Sequence, residues 1–405
     1  MKRKPNQPDM KLIKVNKRKN IIRGSLDWPL VIVVCLLLVF GLLMLYSASS
    51  YNAQLKFGNP AFYVNNQLRN TVIGLIAMFV VAFIPQTVVK KTTFIIYAFS
   101  VLAMGLLLSP LGEEYNGATR WLNLKVTSIQ PSEIVKIAVI LALSYLIGKF
   151  AQYLYNVKMF YFVFAFCAVG AGLTVLLSDD LGTGIIILGI GFVMLFVSCE
   201  RVRWLLITYA GIAVAGVSYM LLRSTKRVRI EAWLHIDQYA DDKGYQITQA
   251  LYAIGSGGFM GKGLGKSTQK LGFVPESEND MIFSIISEEL GILGGIILIG
   301  LFALLVWRMK KIYDNSTDVY SRVLVAGVAS HIAIQTFINI AVVSNLLPNT
   351  GVPLPFVSYG GSAVIFLLME IGLVLSVSRI REQTTDEKRQ TYYQQDKERG
   401  TESIL

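Results

Sequence analysis

Charge is scarce in this chain, and so are cysteine and histidine. Only 16% of the 405 residues are Asp, Glu, Lys or Arg, while 54% are hydrophobic and the mean hydropathy is +0.53. That balance argues against a soluble globule and for an integral membrane protein. Cys35, Cys167 and Cys199 each lie inside an apolar run, which argues against a disulfide framework and a thiolate metal site. His235 and His331 stand far apart, which argues against a His-based zinc site. The net charge of +12 does not point to nucleic acid, because the basic residues crowd into the N-terminal tail and the short loops.

What the chain does have is long apolar runs. Ten candidate spans fall at about 29–46, 70–86, 92–109, 131–149, 158–178, 183–199, 203–222, 281–307, 321–344 and 358–378. The fold class expected is all-α, a polytopic membrane protein. Residues 1–27 hold nine Lys/Arg and read as a basic cytoplasmic tail near anionic lipid. Ser47-Ala48-Ser49 could pass for a signal-peptidase site, but the run before it is too long and too many similar runs follow. Threading from an inside N-terminus places Lys90/Lys91, Lys149/Lys158, Arg201/Arg203 and Arg308/Lys310/Lys311 in cytoplasmic loops. The outer loops are then 47–69, 110–130, 179–182, 223–280 and 345–357. Loop 223–280 carries eight Lys/Arg against seven Asp/Glu and is too long for an idle connector. It reads as a small extracytoplasmic unit of anion-binding character.

The richest stretch is Leu271 to Gly291. Glu276, Glu278 and Asp280 stand just before the apolar run 281–307. A carboxylate at the mouth of a membrane helix is costly to desolvate, so it marks a candidate site. At helical spacing Ser284, Ser287 and Gly291 share the face of Asp280, and Glu289 points away. The bland alternative is a helix cap by Asn279 or Asp280.

Other motifs also carry two readings. Asn116-Gly117 signals a turn. Arg120-Trp121 is either part of a site or an aromatic-belt anchor. Pro131 opens a helix in which Glu133 and Lys136 share a face, as a structural pair or as the lining of a wet cavity. Asp179-Asp180 before Leu181-Gly182-Thr183 is adequately explained as a cap. Gly255 to Ser267 fails the phosphate-loop spacing, because Ser256 and Met260 stand where glycine is needed. Its glycines with Lys262, Lys266 and Lys270 would still suit a phosphate, unless the segment is simply a flexible loop. Residues 348–362 hold three prolines and three glycines, so they cannot be regular helix and must be enclosed by protein or line a cavity. Glu370 is one more carboxylate in a span and reads as structural. The informative polar groups gather on the outer side. They suit an amphiphile with an anionic head group.

Seven blocks in order resemble the SEDS family (shape, elongation, division and sporulation), the polytopic peptidoglycan glycosyltransferases of bacteria. They are Tyr46-Ser47-Ala48-Ser49; Gly117-Ala118 with Arg120-Trp121; Gln130-Pro131-Ser132-Glu133 with Lys136; Asp180-Leu181-Gly182-Thr183; Gly244-Tyr245-Gln246 with Gln249; Pro275-Glu276 through Asp280 to Glu288-Glu289-Leu290-Gly291; and Thr350 to Phe356 with Ser358-Tyr359-Gly360-Gly361-Ser362. The resemblance covers about 28–381. Its Tyr-Ser-Ala-Ser block and basic tail favour the cell-division, FtsW-like branch over the RodA-like and sporulation branches.

The resemblance implies ten transmembrane helices, cytoplasmic termini (the C-terminal tail being 382–405) and location in the bacterial cytoplasmic membrane at the septum. It implies that lipid II is polymerised into glycan strands during cell division, with Asp280 as the catalytic carboxylate. Arg120, Trp121, Glu133, Lys136, Tyr245, Gln246, Gln249, Lys262, Lys270 and Ser358 are the candidate substrate-binding residues, and the leaving pyrophosphate needs Lys136 or a base of 223–280. It implies a class B penicillin-binding protein transpeptidase as partner, among other division proteins. It calls for no cofactor and leaves room for a divalent cation at the pyrophosphate. The family commonly has His-Thr before the aspartate, where this chain has Glu278-Asn279. A lipid II flippase and a non-catalytic division scaffold are the rival readings. The cytoplasmic loops offer mainly Lys/Arg, and no internal repeat supports a flippase.

Overall fold

The computed structural model describes residues 21–115, 118–123, 128–199, 202–242 and 244–382. Most of the basic tail, all but the first residue of the tail expected at 382–405, the Asn116-Gly117 turn, Arg201 and Lys243 lie outside them. The described chain is helical with short strands. In order come β1 (Ile21–Arg23), α1 (Trp28–Phe57), α2 (Phe62–Phe83), α3 (Gln86–Gly105), β2 (Gly112–Tyr115), β3 (Ala118–Asn123), β4 (Ser128–Ile129), α4 (Pro131–Phe150), α5 (Val157–Leu177), α6 (Leu181–Phe196) and α7 (Val202–Leu222). They are followed by α8 (Ser224–Leu234), α9 (Tyr245–Gly257), α10 (Ile282–Asn315), α11 (Val319–Val343), α12 (Ala363–Ser378) and β5 (Ile380–Glu382).

Among the described residues, eight helices are long and apolar enough to cross a membrane, and α6 and α12 are shorter apolar helices. With α8 and α9 set aside as loop helices, these ten match the ten spans in number and order. α4 and α11 are the most enclosed of the long helices, and α7 stands at the periphery with nearly all of its surface outward. α2 packs closely on α12. The closeness depends on glycine: a Cβ at Gly372 would stand 2.5 Å from the Met78 carbonyl oxygen, and one at Gly74 2.6 Å from Leu368 Cδ1.

Several expected boundaries move, each for a physical reason. The loop expected at 47–69 is mostly helix. α1 runs on to Phe57 because Ser47, Ala48, Ser49 and Ala53 are buried against protein, and Gly58, left-handed at φ 65, ends it. Its start is fixed by Asp27, whose carboxylate accepts from the Leu30 amide at 3.0 Å. α2 and α3 are separated only by Ile84-Pro85, so Lys90 sits within α3, where it pairs with Asp318 at 3.0 Å. Segment 110–130 carries the antiparallel sheet β2-β3-β4, with Glu113 opposite Trp121 and Leu122 opposite Ile129. At the other end of the bundle β1 pairs antiparallel with β5, which ties the two ends of the described chain together.

The eighth span is not one helix. Gly291 takes φ 68, ψ −167 and splits α10 into a short buried segment and a long spanning one. Residues 258–263 clip the break. The amides of Lys262 and Gly263 donate to the Glu288 and Glu289 carbonyls, both at 2.9 Å. The amides of Ile292 and Leu293 donate to Gly258 and Phe259 at 3.0 and 3.2 Å. Carbonyls and amides that the break orphans are thus satisfied from outside the helix.

Candidate active site

One end of the bundle holds a cleft of about 930 Å³, lined by the end of α1, the start of α2, the β2-β3-β4 sheet, the N-terminus of α4, the α5–α6 turn, α8, the 276–280 turn and the 345–363 segment. These are the connections expected to face outward, and β1 with β5 lies at the opposite end.

Asp280 lines this cleft from a turn ahead of α10. The cap reading fails, because Met281 is the cap residue and no side chain caps the helix. Asp280 stands outside the helix, and Ser284, Ser287 and Gly291 are not among the residues lining the cleft. Both serine hydroxyls donate to backbone carbonyls, of Met281 at 2.7 Å and Phe283 at 2.9 Å, and Gly291 is the break. What holds Asp280 is Asn339 on α11. Its amide donates to the Asp280 carbonyl at 2.7 Å and to the Val352 carbonyl at 2.8 Å, tying the aspartate to the Pro/Gly-rich segment.

Asp280 is 7% exposed, and its Oδ1 is buried without a hydrogen-bond partner in the protein. Burial chiefly, with the charge of Glu276 next, pushes its pKa up to about 7; Glu278 adds to the rise, while its own backbone amide and Arg229 oppose it. A carboxylate with that pKa in a cleft suits general-base work near neutral pH.

The structure brings Arg120, Trp121, Glu133, Lys136 and Gln246 to the same cleft. Arg120 is fastened at the α5–α6 turn, donating to the Ser178 and Asp179 carbonyls at 3.4 and 3.1 Å. In that turn Asp180 is a cap, accepting from the Thr183 amide at 3.0 Å and its hydroxyl at 2.8 Å. Trp121 is half-buried and faces Gly361, 3.9 Å from where a Cβ would stand. Lys136 is enclosed and pairs with Glu133 at 2.9 Å, its Nζ also donating to Gln335 Oε1 at 3.2 Å. Gln246 bridges the Pro275 carbonyl (3.3 Å) and the Asn349 amide (2.9 Å).

Tyr245, Gln249, Lys262, Lys270 and Ser358 are not among the residues lining the cleft. The two lysines have other work. Lys262 pairs with Glu288 at 2.6 Å, and buried Lys270 pairs with Glu289 at 2.8 Å. Ser267 and Thr268 also donate to Glu288, and Ser47 donates to Glu289 at 2.7 Å. Two of the three lysines that suited a phosphate in 255–270 thus neutralise the carboxylates beside the helix break, and Lys266 is exposed and outside the cleft lining. Ser358 takes the Leu354 amide at 2.8 Å and shapes the turn before α12.

Some site residues were not expected. His331, Gln335 and Asn339 repeat at i, i+4 and i+8 on α11, a polar stripe visible in the sequence. His331 Nδ1 lies 2.7 Å from Glu370 and its Nε2 2.9 Å from Gln335 Oε1. Gln335 Nε2 donates to the Pro353 carbonyl at 2.9 Å, so its Oε1 accepts and His331 Nε2 carries a hydrogen. Glu133, Lys136, Gln335, His331 and Glu370 thus form one buried chain from cleft to core. Lys56, Arg69 and Arg229 also line the cleft, and Thr350 adds a buried hydroxyl without a protein partner. Among the described residues no group of three or more His, Cys, Asp or Glu stands ready for a metal ion.

Residues 27–383 match the FtsW/RodA/SpoVE family model described as "Cell cycle protein". The chain belongs to this family. The stage V sporulation protein E of Bacillus subtilis is 37% identical over 360 residues, covering 88% of this chain and 98% of that one. A probable peptidoglycan glycosyltransferase FtsW of a Geobacter species is 35% identical over 355 residues, covering 87% and 96%. Among solved structures, a chain from work on polymerization and crosslinking by a peptidoglycan synthase complex superposes with TM-score 0.73 at 28% identity, covering 88% and 98%. The rod-shape-determining protein RodA of Thermus thermophilus gives 0.66 at 27% identity, covering 88% and 97%. The FtsW/RodA/SpoVE assignment agrees with the seven motif blocks and with the all-α membrane architecture.

Proposed function

We infer that the cleft polymerises lipid II, transferring a growing glycan from its lipid pyrophosphate to the 4-hydroxyl of an incoming lipid II. The chain is a peptidoglycan glycosyltransferase of the cell-division kind, and a multi-pass membrane protein. The observation that carries the reading of the site is Asp280: a buried carboxyl in the cleft, with one oxygen unpartnered and a pKa near 7. A sugar hydroxyl is a poor nucleophile at neutral pH. Asp280 takes its proton as the new bond to the donor's anomeric carbon forms, and the bonding pair of the old bond leaves on the pyrophosphate. Direct displacement inverts that centre. Arg120, Trp121 and Gln246 on the cleft wall position the sugars and lipid head groups. Glu133 and Lys136 hold the wall below them.

The membrane domain spans 28–381 between cytoplasmic tails, and the cleft opens on the outer face of the cytoplasmic membrane at the septum. A class B penicillin-binding protein crosslinks the strands as they emerge. The test is lipid II incubated with the purified chain, with and without that transpeptidase, and glycan chains resolved on a gel. A ladder of polymer made by the wild type supports the reading. Translocation of lipid II across vesicles without polymer makes the chain a flippase, and neither activity makes it a scaffold.

A further inference from the structure

The departing pyrophosphate gathers negative charge in the transition state and needs a cation beside it. The sequence offers many cations, and the structure spends most of them. Lys262 and Lys270 are bound to Glu288 and Glu289. Lys136 is enclosed between Glu133 and Gln335. Arg120 is fastened to two backbone carbonyls of the α5–α6 turn.

Arg229 is different. It sits on α8 with Ala232 and Trp233, at i, i+3 and i+4, and these three line the cleft together with Ile236 just beyond the helix. Trp233 Nε1 donates to the Asn345 carbonyl at 3.0 Å and anchors that face beside the end of α11. The neighbouring Arg227 pairs with Glu231 at 3.2 Å, while Arg229 lines the cleft.

Connectivity decides its role. In a direct displacement the attacking hydroxyl, the anomeric carbon and the leaving oxygen lie in line, with reacting atoms about 3–3.5 Å apart. The base and the leaving pyrophosphate therefore flank the same anomeric carbon from opposite faces. The acceptor's own pyrophosphate lies a whole disaccharide away. Arg229 is the cation whose charge reaches the Asp280 carboxyl. Arg69 is on another wall, on the α2 face with Tyr63 and Asn66, and its charge reaches Tyr359.

We propose that Arg229 is the catalytic cation that receives the departing donor pyrophosphate, and that Arg69, with Lys56 also in the cleft lining, holds the pyrophosphate of the acceptor. The inference rests on the Asp280 reading of the site and deepens it. As the acceptor oxygen bonds to the anomeric carbon, its proton passes to Asp280. The carbon–oxygen bond to pyrophosphate breaks, and the electron pair leaves on the pyrophosphate beside Arg229.

The test is steady-state polymerisation of lipid II by the full chain with its transpeptidase, for Arg229→Ala, Arg229→Lys, Arg69→Ala and Asp280→Asn. Arg223→Ala, on an exposed residue outside the cleft, serves as control. Arg229→Ala lowers kcat about 10²–10³-fold with KM nearly unchanged, and Arg229→Lys recovers part of it. Arg69→Ala mainly raises KM. The acid limb of the pH–rate profile moves to higher pH in Arg229→Ala, because a charge that holds the Asp280 pKa down is gone; a merely structural role would leave that limb in place. If Arg229→Ala fails to fold, the uncharged Arg229→Gln takes its place: a lowered kcat with the acid limb moved to higher pH supports the proposal, and a limb left in place overturns it. Arg229→Ala within about threefold of the wild-type kcat also overturns it. Asp280→Asn separates the two levels. If it stays active, the reading of the site fails. If it is dead while Arg229→Ala is normal, only this inference fails.

Discussion

Burying an ionisable carboxyl costs stability, and that cost is measurable at Asp280. The perturbation is Asp280→Asn, which keeps the shape and removes the charge. The folded-state pKa is about 7 against an ordinary 3.8. Each unit corresponds to about 1.4 kcal/mol, so the ionised form is disfavoured in the folded cleft by about 4 kcal/mol at pH well above 7. Because the folded pKa is the raised one, stability is fully present below pH 3.8, declines as pH rises between 3.8 and about 7, and is lowest above 7. The amide of Asn carries its own desolvation cost of about 1–3 kcal/mol. The net gain of the variant at pH 8.5 is then about 1–3 kcal/mol, shrinking as pH falls. The assay is thermal unfolding of the purified chain in detergent at pH 5 and pH 8.5. The variant melts higher than wild type at pH 8.5, and the gap narrows at pH 5. A gap of the same size at both pH values, or a variant less stable than wild type at pH 8.5, refutes the reasoning.

Three further outcomes follow from the packing. Lys136→Ala strands buried Glu133 and costs about 3–5 kcal/mol, read as a lower melting temperature, whereas the double change Glu133→Gln with Lys136→Met recovers much of it. Lys270→Ala does the same to Glu289, again about 3–5 kcal/mol, and should leave the chain prone to proteolysis in 258–270. Gly291→Ala is strained twice over, by φ 68 and by a Cβ 2.4 Å from the Gly261 nitrogen and the Phe259 oxygen. Its melting temperature falls, and polymerisation falls with it, because the 258–263 clip and the turn bearing Asp280 bracket the same short segment.

Lipid made the gross fold legible in the sequence. A chain that must fill a hydrocarbon layer writes its spans as long apolar runs, so their number and order could be read directly. Their ends could not. Ser47 to Ala53 looks like a loop because it is polar and small, yet protein rather than water covers it. Gly291 looked like one small residue in a helix. Its break is fixed by Gly258 to Gly263, whose approach no local pattern announces.

The candidate site was legible in part for a similar reason. Asp280 and the Arg120-Trp121 pair stood out as polar groups at span ends, and Glu133 with Lys136 stood out by helical spacing. The cations of 223–280 looked equivalent, because pairing of Lys262 with Glu288 and Lys270 with Glu289 depends on how the loop folds back. Only the assembled α8 face distinguishes Arg229. The His331, Gln335 and Asn339 stripe was there to be read and marks the enclosed side of α11.

The most direct test of the central claim is the pH dependence of kcat for lipid II polymerisation by the wild-type chain with its transpeptidase. If Asp280 with a pKa of about 7 is the base, the rate rises about tenfold per unit up to pH 7 and then levels off. A rate that stays flat from pH 5.5 to 8.5 would contradict it.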